Sequence, residues 1–147
     1  MSKDLLKIIP KKQLDRVLNQ YRCDLSPDFL GFTDIYKKLS LIIPKHWIII
    51  DFGCSYAPQC FYFINHKKYI GIDPEARIRF YTKNTKYYLM TTKKFIEKFL
   101  SNFNQEETFA ICSYVPTWYG HDSKELVRKN FKNVFVYYPH GGHPKIF

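Results

Sequence analysis

Three successive isoleucines behind a tryptophan, Trp47-Ile48-Ile49-Ile50, run into Asp51 with no polar residue between them. A strand that is apolar on both faces has to be covered on both, the condition met in a parallel sheet sandwiched between helices. A second apolar run, Tyr69 to Ile72, ends in Asp73, so two strand-like segments each deliver a carboxylate at their C-terminal edge, 73 − 51 = 22 positions apart. Gly53 and a loop of small residues follow the first of them.

The rest of the chain alternates between helical and strand-like patterns. Residues 2–22 carry Leu14, Val17, Leu18 and Tyr21 at helical spacing and are interrupted by Pro10, which predicts one or two short helices. Thr33 or Asp34 is placed to cap a helix carrying Ile35, Tyr36, Leu39 and Ile42 as far as Pro44. Residues 47–51 form the first expected strand, Pro58 opens a short helix through Asn65, and residues 69–73 form the second strand. Tyr87 to Met90 is the third strand, followed by a helix capped at Thr91 or Thr92 with Phe95, Ile96, Phe99 and Leu100 inside. Residues 108–114 are the fourth, a helix capped at Asp122 or Ser123 runs through Asn130, and residues 133–138 are the fifth.

This is a βαβαβαβαβ order. It predicts an α/β fold, a three-layer αβα Rossmann-like arrangement with a mostly parallel five-stranded sheet and added N-terminal helices. The length of 147 residues fits a single domain, with residues 1–45 as a helical segment packed on a core of residues 46–147.

Composition narrows the chemistry. An aromatic share of 18% and a hydrophobic share of 46% exclude a disordered chain. A formal net charge of +10 marks a basic protein and favours nucleic acid or another acidic partner, although the lysines are scattered in pairs as a plain solvated surface would have them. The stretch Arg77-Arg79-Phe80-Tyr81-Lys83-Lys86-Tyr87-Tyr88 suits single-stranded nucleic acid by charge and stacking, and equally reads as the buried face of a strand. Cys23, Cys54, Cys60 and Cys112 include no CxxC pair and read as reduced intracellular thiols; a helix opening at Pro58 would lower the pKa of Cys60. His140 and His143 lack an evident third ligand, so no metal is expected. No apolar run approaches the ~18 residues of a membrane span and no leader pattern opens the chain, so a cytoplasmic protein away from the membrane is expected.

In open α/β sheets ligands sit outside the carboxyl ends of the strands, and an acid about 20 residues beyond a glycine loop can take the ribose hydroxyls of a nucleoside cofactor. A dinucleotide site needs G-x-G-x-x-G, of which Gly53-Cys54-Ser55-Tyr56-Ala57-Pro58 keeps only the first glycine. Residues 34–138 resemble instead a class I, Rossmann-like S-adenosylmethionine-dependent methyltransferase, a small and divergent one. Residues 47–57 resemble its first motif, 69–73 its second, and 108–118 stand where its fourth belongs.

The resemblance implies S-adenosylmethionine as cofactor. Gly53 would then let the backbone approach the methionine portion, Asp51 would lie near its amino group, and Asp73 would hold the ribose hydroxyls. Ser55 and Ala57 stand where the family repeats glycine, and since a Cβ restricts positive φ, the loop is expected either to take an ordinary conformation or to lose close contact. Thr91 or Thr92 substitutes for the polar residue usual beside the adenine. Ser113, Pro116 and Trp118 echo the substrate contacts of N-methyltransferases, while Tyr114 and His121 are the candidate catalytic residues. Two functions stay open: a methyltransferase of unknown substrate, and a non-catalytic scaffold of the same fold that binds nucleic acid or protein through its basic surface.

Overall fold

The computed structural model describes residues 32–112, 123–136 and 145–146. The expected N-terminal helices at residues 2–22, the segment after the fourth strand and the tail with His140 and His143 lie outside the described residues.

Helix α1 spans Phe32–Ile42, so Thr33 and Asp34 lie within its first turn and not at a cap preceding it. Its buried positions Tyr36, Leu39, Ser40 and Ile43 repeat at i, i+3, i+4 and i+7, the stripe that lays a helix flat on a sheet. The sheet contains β1 (Ile48–Phe52), β2 (Lys68–Ile72), β3 (Thr85–Tyr88), β4 (Thr108–Cys112), β5 (Val134–Val136) and β6 (Lys145–Ile146), in the order β3-β2-β1-β4-β5-β6. The first five are parallel. The sixth is an addition to the five read from sequence: two residues pair antiparallel with β5, Phe135 with Ile146 and Val136 with Lys145, and cover an edge that would otherwise offer unpaired backbone groups.

Strand alternation divides the core in two. Ile49, Tyr69, Phe109, Ile111 and Phe135 point to the face under α1, where they meet Tyr36, Leu39, Phe61 and Phe63. Ile50, Phe52, Ile70, Ile72, Ala110 and Cys112 point to the other face, under α2 (Thr92–Phe99) and α3 (Ser123–Asn130), against Phe95, Ile96, Val127 and Phe131. Both faces are apolar, which is why the triple isoleucine carries no alternation. Each fully buried isoleucine contributes roughly 1.5–3 kcal/mol of transfer free energy. Thr91 caps α2, its hydroxyl accepting the Lys94 N–H at 3.2 Å.

β1 and β2 are each offset by one residue from the strands expected at 47–51 and 69–73, which leaves Asp73 just past β2, and three further features differ from the sequence reading. The short helix expected between β1 and β2 is a 3-10 helix over Pro58–Phe63, two residues short of Asn65. β3 begins two residues earlier than Tyr87, because its length is set by pairing with β2 from Tyr69↔Thr85 to Ile72↔Tyr88; Leu89, 57% exposed, lies past the end of β2 with no strand to bond. Finally, the alternation implies a helix between β2 and β3, yet residues 73–84 are irregular. No helix or strand is formed there, and along Arg77-Ile78-Arg79 only the isoleucine is buried, so the stretch is neither a crossover helix nor the long buried strand face considered above.

Candidate functional site

The loop leaving β1 is tied down at every step. The N–H groups of Gly53 and Cys54 both donate to Ile72 O at the end of β2, at 2.7 and 3.2 Å, and Ala57 N–H returns to Cys54 O at 2.9 Å. Within this loop Gly53, Ser55 and Ala57 have φ of 75°, 54° and 63°. Left-handed backbone is costless only for glycine; at each of the other two it costs about 1–2 kcal/mol. Of the two alternatives expected of a Cβ at 55 and 57, the loop does not take the ordinary conformation. The alternate-residue turn is kept, and the strain is met by tethering to β2 and by burial of Ala57 against Cys54 and Ile78.

Asp73, one residue past β2, closes the loop from the other side. Its Oδ2 accepts the Ser55 N–H at 3.0 Å and one N–H of the Arg77 guanidinium at 3.3 Å, and its Oδ1 accepts the Glu75 N–H at 2.9 Å. Arg77 also lies 3.3 Å from Glu75 through Nε. The carboxylate is 1% exposed, yet only three of its roughly four lone-pair sites are taken.

Asp51 has a different fate. It belongs to β1, penultimate in the strand, in register between Gly71 and Ile111. That places its carboxylate on the face under α1, with no exposure at all. The Tyr69 hydroxyl and Gln59 Nε2 (2.8 Å) donate to Oδ2, and the Tyr36 hydroxyl donates to Oδ1 at 3.4 Å. Burial pushes its pKa up to about 6 against the pull of these three donors. Gln59 Nε2 also donates to Cys54 O at 3.0 Å, so both amide hydrogens are used and the orientation of the amide is set. Its Oε1 is buried with no hydrogen-bond partner.

The cysteines here are core groups. Burial, with Asp51 and Asp73 nearby, pushes the Cys54 thiol up, and burial carries Cys60 up to about 12. The lowering expected at the helix opening from Pro58 does not occur, because that element is a short 3-10 turn and desolvation of the thiolate dominates. Gly71 is required by contact: a Cβ there would stand 2.5 Å from the Tyr87 ring and 2.8 Å from Cys54 Sγ.

The structure thus brings Gly53, Ser55 and Asp73 together and buries Asp51 beneath them. Thr91 is spent on its cap and Thr92 is buried in the first turn of α2. Ser113, Tyr114, Pro116, Trp118 and His121 lie outside the described residues, directly following β4 in the chain. Sequence reasoning did not single out Tyr36, Gln59 and Tyr69 around Asp51, or Glu75 and Arg77 around Asp73; of these only Arg77, four residues after Asp73, had a local signal. Among the described residues no group of three or more His, Cys, Asp or Glu could hold a metal ion, and no helix is long and apolar enough to cross a membrane.

No protein-family model and no curated protein matches the sequence. Among solved structures, an rRNA methylase from Streptococcus thermophilus superposes with a TM-score of 0.52 at 11% identity, covering 73% of this chain and 71% of that one. The fold is that of the class I methyltransferases. A chain from Anaeromyxobacter dehalogenans described as a type II methyltransferase gives 0.48 at 15% identity over 70% of this chain. A plantazolicin methyltransferase, in complex with a triazolic desmethylPZN analog and SAH, gives 0.47 at 12% over 86%. This chain spans 46% of the former and 50% of the latter.

On a methyltransferase fold the ligand edge is the C-terminal end of β1 and β2, where the strained loop and Asp73 stand. An adenosyl cofactor there would meet Asp73 with one open acceptor position, which fits a ribose hydroxyl, and Asp51 enclosed by its own donors, with Gln59 Oε1 beside it a buried acceptor without a hydrogen-bond partner.

Proposed function

We propose that this chain is an S-adenosylmethionine-dependent methyltransferase whose cofactor lies across residues 53–57 and Asp73. The observation that carries the reading is the left-handed backbone at Gly53, Ser55 and Ala57, a strained path kept at two positions that lack glycine, with the Ser55 N–H clamped by the ribose-end carboxylate. Strain held by tethers at the ligand edge of such a sheet is the mark of a binding loop. S-adenosylmethionine supplies an electrophilic methyl group on a sulfonium.

The chain's own residues do the rest. Gly53 leaves the backbone open to close approach, Ser55 and Ala57 shape the turn, and Asp73 accepts the ribose hydroxyls. Asp51 acts from below, through Gln59 and Cys54 O, to hold the loop. The segment after β4 receives the substrate, with Ser113, Pro116 and Trp118 as contacts and Tyr114 and His121 as catalytic candidates; in-line placement is its main task.

Calorimetry and thermal unfolding with S-adenosylhomocysteine test this. Ligand at 100 times Kd adds about 2.7 kcal/mol of stability, and Asp73→Ala removes that gain. No shift at millimolar ligand overturns the reading.

A second reading has one observation in its favour. Lys45, Lys67 and Lys83 on the loops entering β1, β2 and β3, with Lys68 and Lys86 in the first residues of β2 and β3, form a strand-start edge whose turns carry no acidic residue, joined by Lys67 N–H to Lys45 O at 2.8 Å and by Asn84 Nδ2 to His66 O at 2.9 Å. The acids Glu106 and Glu107, before β4, pair instead with Lys132 and His46. Such a charge division suits a nucleic acid held by its phosphates on a non-catalytic scaffold. Salt-dependent binding of a labelled single strand, lost when Lys67 and Lys83 are reversed to Glu, supports it; no binding at low salt removes it.

A further inference from the structure

Three lone-pair sites of Asp73 are filled from within the chain, and the three donors are not equivalent. The Ser55 and Glu75 N–H groups are backbone, at 3.0 and 2.9 Å, and cannot leave without unfolding the loop or the turn. The third donor is a side chain. Arg77 reaches Asp73 Oδ2 at 3.3 Å, a long contact, its Nε makes no hydrogen bond, and the side chain is 43% exposed. The backbone around it is pinned: Arg77 N–H donates to Glu75 O at 2.8 Å, Ile78 is 2% exposed against Cys54 and Ala57, and Arg79 N–H donates to Tyr56 O at 2.9 Å. Only the guanidinium is free to move, and Glu75 Oε2 already stands 3.3 Å from it on a side chain 44% exposed.

Counting acceptors gives the consequence. With Arg77 in place the carboxylate has one open position, and with Arg77 withdrawn it has two, one on each oxygen. A cis-diol needs two.

We propose that Arg77 competes with the ribose diol for the Asp73 carboxylate, and that Glu75 receives the guanidinium when the diol binds. This rests on the cofactor reading above. Arg77 is thus a positioning residue that sets how tightly an adenosyl ligand is held. A ligand lacking the diol has no quarrel with it.

The test is calorimetric titration of the full chain with S-adenosylhomocysteine. Arg77→Ala binds about two- to fivefold tighter than the unaltered protein, the range of a partly exposed ion pair. Arg77→Lys falls between them, since an ammonium still pairs with Asp73 less well than the fork does. Glu75→Gln binds more weakly, and in the Arg77→Ala background it has no effect. Raising salt from 50 to 300 mM tightens binding to the unaltered protein and leaves Arg77→Ala unchanged, because the competing ion pair is screened only where it exists. The control ligand is 2′,3′-dideoxyadenosine, whose affinity is the same for all variants.

The inference is overturned if the unaltered protein binds and Arg77→Ala is no tighter, or if dideoxyadenosine gains equally. Binding by Arg77→Ala alone supports both proposals. Absence of binding by every variant refutes the cofactor reading and this inference with it. Should Arg77→Ala unfold, as ligand-free melting reports, Arg77→Lys and the salt series decide the matter.

Discussion

Asp51→Asn isolates the cost of one buried carboxylate. Asp51 has no exposure, and desolvation outweighs the hydrogen bonds from Tyr69, Gln59 and Tyr36, so its pKa rises from 3.8 to about 6. Because the folded-state value lies above that of the unfolded chain, the protonated group favours folding. That stability is fully present below pH 3.8 and is lost as pH rises through 6. A shift of that size corresponds to about 3 kcal/mol, of which roughly 1 kcal/mol is gone by pH 4.5 and nearly all by pH 7. Asparagine keeps an oxygen for Tyr69 and Gln59 and cannot ionise. Urea unfolding at half-unit steps from pH 4 to 7.5 should therefore show the variant gaining on the parent by about 2–3 kcal/mol across that range. Every other titrating group is shared by the two proteins and drops out of the difference. Parallel stability curves would refute the argument, since a carboxylate indifferent to pH between 4 and 7 is not one held in a desolvated cage.

Gly71→Ala should destabilise by about 1–3 kcal/mol in urea, as overpacking does, because the new methyl meets the Tyr87 ring and Cys54 Sγ; an unchanged midpoint would mean that the ring moves freely. Ser55→Gly should stabilise by up to about 1 kcal/mol, since φ of 54° suits glycine, and a loss of stability would show that the backbone there is unstrained. Cys54 and Cys60, buried and with thiols pushed up in pKa, should resist a disulfide reagent at pH 8 in the native protein and react on unfolding; rapid native modification would contradict their burial.

Short-range pattern was enough for a good part of this protein. The unalternating Ile48-Ile49-Ile50 run made β1 a two-faced buried strand, Thr91 and Thr92 announced a helix start, and the two apolar runs placed Asp51 and Asp73 at the same edge of two neighbouring strands. Those signals depend on spacing along a single segment, which a sequence displays directly. What the chain could not display were decisions made between segments. The end of β2 set where β3 starts, and Ile78 packing on Cys54 and Ala57 replaced a crossover helix with an irregular strap. Asp51 stands one residue before the end of β1 and Asp73 one residue past the end of β2, which put Asp51 inside the sheet, among Tyr36, Gln59 and Tyr69, and left Asp73 just beyond it, facing Ser55, Glu75 and Arg77. The two acids look alike in sequence and both are buried; the partners differ, three side-chain donors enclosing Asp51 as a structural anchor and two backbone N–H groups with one arginine leaving Asp73 an open acceptor position. The same holds at Ser55 and Ala57, where residue identity argued against a left-handed turn and the tethers from Ile72 and Asp73 imposed it.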